Sequence, residues 1–319
     1  MFASITRRRL LAGAALLLSA RLAFAEDTPP APALNDGTDE DGLPAGAAPS
    51  AAQQAALDDA DKQLAAIEQR LGGRLGVSVL DTETNISLGA RETERFALGA
   101  TAHVLIVGFA LSRVDQGAEK LDRRVTFAKE AVVAGSPASE AHAGGDGMTV
   151  AELCEAAIVE GDNTAANLLL DAAGGPKALT AWLRSTGDTE TRIDRRAGEP
   201  DDGKADDQRD TTTPDSMLDT IGLLTLGNTL ADASRTRLVD WLAAATSGEA
   251  RLRAGLPKEW KVGGIAGTDK ATAADIAVIW PPERGPILVT AYVADTKLTG
   301  PDLDAAFADI AKIVAGMVG

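Results

Sequence analysis

The sequence predicts an α/β fold of the segregated α+β kind, and three observations carry the prediction. Strand-like segments lie near both ends of the domain, helical periodicity fills the long middle, and a last helix closes the chain. Strands from the two ends must then share one sheet, with the helical segment inserted between them.

The elements follow in order. Residues 1–25 carry Arg7-Arg8-Arg9, a short apolar run over 10–20, and Ala23-Phe24-Ala25 before Glu26. A charged start, an apolar core and a small-residue cleavage site predict a signal peptide. The apolar run is shorter than the about 20 residues a spanning helix needs, so no membrane association is expected after cleavage. Thr6-Arg7-Arg8-Arg9-Leu10-Leu11 resembles a twin-arginine export signal, which predicts a periplasmic or secreted bacterial protein. Residues 26–52 hold Pro29, Pro30, Pro32, Pro44 and Pro49 among alanine, glycine and acidic residues. Such a stretch buries too little to offset its ordering entropy, so it reads as a disordered leader. One large two-lobed domain is expected over 53–319.

A helical pattern over about 51–71 leads into an alternating strand at 75–80. Asp81-Thr82-Glu83-Thr84-Asn85 supplies turn chemistry before a second strand near 86–88. Helices dominate from His103 to about Leu252, and Gly174-Gly175-Pro176 reads as a helix stop followed by a helix start. Strands return at 261–263, 275–280 and 287–294, and a helix over 301–317 ends the chain.

Composition excludes several function classes. The net charge is −16, and loss of residues 1–25 removes four arginines and no acids, leaving −20. That balance disfavours nucleic acid and anionic lipid, which both reward cations. Cys154 is the single cysteine, so no internal disulfide forms; it lies in a helical pattern and reads as a small buried hydrophobe. His103 and His142 are the only histidines and share no ligand spacing, so no metal is expected. His142 falls in the polar stretch 138–147, read as a flexible loop. No phosphate-cradling glycine loop occurs, and no cofactor is predicted.

Several separated segments carry a family resemblance. Glu94-Arg95-Phe96 precedes an apolar helix running to Arg113. Gly161-Asp162-Asn163-Thr164-Ala165-Ala166-Asn167, Gly174-Gly175-Pro176 and Arg209-Asp210-Thr211-Thr212-Thr213-Pro214 follow in order. In these segments the chain resembles the class A β-lactamases, over roughly residues 64–319. The resemblance implies an antiparallel five-stranded sheet flanked by helices beside an all-helical lobe, with the pocket in the seam.

The family's motifs are S-x-x-K, S-D-N and K-T-G, and this chain departs from each. Ala100 stands where the resemblance places the nucleophilic serine, and His103 where it places the lysine one turn later. Alanine has no lone pair to donate, so no acyl-enzyme forms there. Gly161 replaces the hydroxyl of the second motif and leaves Asp162 and Asn163. In the third, Ile265 and Ala266 replace the cation and the hydroxyl, and Gly267 and Thr268 follow. The resemblance also implies a loop closed by an ion pair, mapped to Arg195 and Asp210, with the deacylating glutamate two residues past the arginine. That position is Ala197. Glu199-Pro200 is the nearest substitute but sits two positions late.

Substitutes for the missing groups are few. Thr101 is rotated about 100° from Ala100 on a helix, so it reads as a packing or backbone-bonded threonine. His103 shares a face with Ala100 and could serve as a base, or could fill the space left by lysine against a neighbour such as Asn163. The leading expectation is therefore a silent homologue in which a pocket of His103, Asp162, Asn163, Glu199, Ala266, Gly267 and Thr268 receives a small-molecule ligand. Affinity for carboxylate-bearing penicillins is expected to be weakened. A hydrolase of altered chemistry using His103 and Glu199, or a β-lactamase with weak residual activity, are the alternatives. The chain is expected to be a monomer, and the sequence names no protein partner.

Overall fold

The computed structural model describes residues 50–199, 207–269 and 272–317. The expected signal peptide and nearly all of the leader lie outside them. Helix α1 (Ala51–Leu71) starts at a reciprocal Ser50–Gln53 capping box, so it begins two residues inside the stretch assigned to the leader. Strands β1 (Arg74–Asp81) and β2 (Ile86–Ala90) form a hairpin around Asn85.

The two-residue strand β3 (Phe96–Ala97) and a 3-10 turn (Gly99–Thr101) lead directly into α2 (Ala102–Asp115), which is buried continuously from His103 to Ser112. Strand β4 (Arg124–Val125) precedes α3 (Pro137–His142), and β5 (Met148–Thr149) precedes α4 (Val150–Val159), opened by a Thr149–Glu152 capping box. Helices α5 (Asn163–Ala172) and α6 (Pro176–Ser185) flank Gly174-Gly175. Strand β6 (Thr211–Thr212), which pairs with β3, and helices α7 (Pro214–Thr225) and α8 (Asp232–Ala244) complete the lobe, whereas the short α9 (Leu252–Gly255) buries Leu252 in the core on the other side of the sheet. Then come β7 (Lys261–Asp269), β8 (Thr272–Trp280), β9 (Ile287–Ala294) and α10 (Gly300–Gly316).

The main sheet is five-stranded and antiparallel, in the order β2-β1-β9-β8-β7. Strand β1 pairs with β9 along its length, from Arg74 opposite Ala294 to Asp81 opposite Ile287, which joins the two ends of the chain. Alternation on β8 divides the core: Ile276 and Val278 face the helical lobe, whereas Ala277 and Ile279 face the layer of α1 and α10. The seam between lobe and sheet therefore runs along β7, beside the head of α2.

Two expectations need correction. Residues 137–142 are helical, so His142 is the exposed last residue of α3 rather than part of a loop; Pro137 at the first turn is compatible with a helix start. Strand β7 extends to Asp269, well past 263, because β8 pairs with it from Trp280 back to Thr272. Its small residues carry no period of their own, and the partner's ladder fixes it.

Candidate functional site

Ala100 lies in the 3-10 turn at the head of α2, directly against β7. A Cβ built on Gly267 would stand 2.6 Å from the Ala100 Cβ and 3.2 Å from its backbone nitrogen, so the two segments approach as closely as a glycine permits. The neighbouring Thr101 hydroxyl is fully buried, donates to the Leu98 carbonyl at 2.6 Å and lies 3.2 Å from the Tyr292 hydroxyl. It faces away from the seam, as its helical offset predicts.

His103 is buried, and its Nδ1 lies 3.0 Å from the Ala157 carbonyl. A carbonyl only accepts, so Nδ1 carries the proton and Nε2 is the unprotonated nitrogen. Burial lowers its pKa, opposed by the Ala157 bond, a bond with the Asn163 side chain and the charge of Asp162. The residue is a neutral imidazole where the resemblance places a cation. Its main partner is the α4 backbone, with Asn163 second.

Asp162 and Asn163 separate in role. Asp162 is fully buried, caps α5 through the Ala165 N–H at 2.8 Å, and accepts from the Ser139 N–H and hydroxyl. Its carboxylate ties α3 to α5. Asn163 donates through Nδ2 to the Ala134 carbonyl at 2.8 Å and stays beside His103. Gly161 adopts φ +67°, a left-handed conformation, with open space where a Cβ would lie.

The loop neck closes as the resemblance implies. Arg195 Nε donates to Asp210 Oδ2 at 2.5 Å, and Asp210 Oδ1 accepts the N–H groups of Asp194 and Arg195. Asn167 grips Ala197 from both sides: its Nδ2 donates to the Ala197 carbonyl at 3.0 Å and its Oδ1 accepts the Ala197 N–H at 2.9 Å. That clamp holds Ala197, not Glu199, against α5. Glu199 is exposed and folds back on Arg196, accepting from its N–H at 3.2 Å and pairing with its guanidinium at 3.4 Å. The structure therefore does not bring Glu199 to His103.

On β7, Ile265 is fully buried among core residues on the lobe side, and Ala266 donates its N–H to the Ser247 hydroxyl at 3.1 Å. Beside them opens a cavity of about 330 Å³ lined by Arg251, Glu249, Asp304, Thr246, Ala266 and Gly267, among others. The sequence reading missed the three charged residues, because no motif marks them and only folding brings 249–251 and 304 to β7.

Arg251 is held firmly. Nε donates to Asp304 at 2.8 Å, Nη1 to the Gly267 and Ala274 carbonyls at 2.9 and 3.2 Å, and Nη2 to the exposed Thr268 hydroxyl. The guanidinium also stacks 5.0 Å from the Phe307 ring centroid. Behind the cavity Asp275 is buried, accepts the Leu252 N–H at 3.0 Å, and burial pushes its pKa up to about 8. Among the described residues no group of histidine, cysteine and carboxylate side chains is placed to hold a metal.

Comparison with known proteins decides the family. The beta-lactamase enzyme family matches residues 59–318. Beta-lactamase CTX-M-97 of Escherichia coli is 40% identical over 266 residues, covering 83% of this chain and 91% of that protein. The chain belongs to the class A β-lactamase family. Beta-lactamase L2 of Stenotrophomonas maltophilia is likewise 40% identical, over 85% of this chain and 90% of its own. A solved ancestral (GNCA) class A β-lactamase is 53% identical with a TM-score of 0.78, covering 81% of this chain and 99% of that one. The putative class A β-lactamase PenP of Rhodopseudomonas palustris is 48% identical with a TM-score of 0.79, covering 81% and 99%. The five-stranded sheet and helical lobe are thus those of class A β-lactamases.

Proposed function

We propose that this chain is a catalytically silent class A β-lactamase homologue, exported to the periplasm, whose former active-site pocket binds a small molecule. The observation that carries the reading is Ala100: the head of α2 presents a methyl group to Gly267, and the adjacent Thr101 hydroxyl is engaged with Leu98. Neutral His103, apolar Ile265 and the exposed Glu199 paired with Arg196 support it, since none of them replaces the nucleophile or the cation. The same arrangement weighs against a hydrolase built on His103 with Glu199. Loss of a serine hydrolase's nucleophile leaves roughly 10³- to 10⁴-fold acceleration over water, and further losses cost little more. Export rests on the first 25 residues, and the monomeric state is part of the same proposal.

The test is turnover of a chromogenic cephalosporin by the purified mature protein. The expected result is a rate that does not exceed the protein-free control. Hydrolysis proportional to protein concentration would overturn the reading in favour of a β-lactamase, the activity named for its 40%-identical relatives.

A further inference from the structure

We infer that the cavity beside Gly267 takes an amphipathic cation, an apolar body bearing an ammonium group, in preference to a carboxylate. The inference rests on the reading of the former active-site pocket as a binding site, with which this cavity shares Ala266 and Gly267, and it names the ligand class. Arg251 supplies the positive charge among the lining residues, but that charge already faces the Asp304 carboxylate at 2.8 Å. A guanidinium has five N–H donors. Those of Arg251 are turned to Asp304, to the Gly267 and Ala274 carbonyls and to Thr268, which leaves an incoming carboxylate no paired donors for a bidentate contact.

Glu249 and Asp304 outweigh Arg251, so the lining carries one more negative than positive charge. Deeper along β7, position 265 is isoleucine and His103 is a buried neutral imidazole, so neither of these two positions supplies a compensating cation. Only the strand side of the cavity is small and apolar, with Ala266 and Gly267 lining it and the Ala100 methyl abutting Gly267, while Thr246, Glu249, Arg251 and Asp304 make the rest polar or charged. An apolar group packs there while an ammonium faces Glu249 and the outer side of Asp304. An anion of the same shape meets net repulsion and a neutralised arginine.

Benzylamine and benzoate are a matched probe pair, with the same ring and opposite charge. Titration followed by protein NMR at low salt is expected to give benzylamine about fivefold tighter binding, the range of a partly exposed ion pair. Shifts should centre on Gly267 and Ala266, and the preference should shrink at high salt. Glu249→Gln, an exposed substitution compatible with folding, is expected to remove most of it. Equal affinities, tighter benzoate binding, no shift at β7 with either probe, or a preference unchanged in Glu249→Gln would each overturn the inference. Cephalosporin turnover by the unmodified protein would sink the silent reading without touching this charge preference, so the two failures are distinguishable.

Discussion

Gly267 and Ala100 are packed as closely as two backbones with one side-chain methyl between them allow, and that contact registers β7 against the head of α2. A methyl group added at Gly267 would fall 2.6 Å from the Ala100 Cβ and 3.2 Å from the Ala100 backbone nitrogen. Gly267→Ala is therefore expected to destabilise the fold by about 1–3 kcal/mol through overpacking. Denaturant titration checks this, and a midpoint equal to wild type would show that the seam yields.

Restoring the chemistry in part should trap an intermediate. Ala100→Ser/His103→Lys supplies the attacking hydroxyl and a nearby base, while position 197 still presents no carboxylate to activate water. Incubated with benzylpenicillin, the double variant is expected to gain the mass of one penicillin and keep it, whereas wild type shows no adduct. A folded double variant that never acquires the adduct would place the serine position elsewhere.

Gly161 resists the same kind of repair. Its φ of +67° suits glycine, and although a side chain there meets no neighbour, a non-glycine residue pays in backbone strain. Gly161→Ser is expected to cost about 1 to 2 kcal/mol, read from thermal unfolding. A stability unchanged from wild type would mean that the turn relaxes.

The clamp on Ala197 is equally open to test. Asn167→Ala removes two hydrogen bonds and leaves the Ala197 N–H and carbonyl without their partner, an expected loss of about 1–3 kcal/mol. Hydrogen exchange at the Ala197 amide should accelerate strongly, while the Arg195–Asp210 pair persists. Unaltered exchange at Ala197 would remove Asn167 from the role.

Asp275 predicts a pH dependence. Burial raises its folded pKa to about 8 from an ordinary value of 3.8, so the folded state holds a proton that the unfolded state releases. Its contribution to stability is complete below pH 3.8 and declines as pH rises toward about 8, beyond which it is flat. Asp275→Asn keeps an acceptor for the Leu252 N–H and should flatten that decline. An unchanged pH profile of unfolding would count against burial as the cause.

The sequence by itself determined the order of elements and the shared sheet, and its resemblance to the family pointed to the positions where the motif residues differ. Alternation at 75–80, the turn residues at 81–85 and the Gly174-Gly175-Pro176 punctuation are local signals, and local periodicity and turn chemistry are visible in a linear string. The Arg195–Asp210 pair was legible too, but only as what the family resemblance implies.

Tertiary structure alone decided how the site is assembled. It set the extent of β7 through pairing with β8, the burial of Asp162 against Ser139, the turning of Glu199 onto Arg196, and the meeting of Arg251 with Asp304 across 53 positions. Each of these depends on which distant group arrives as a partner. Charge, burial and hydrogen bonding at a site are properties of neighbours in space, and no local pattern of residues encodes them.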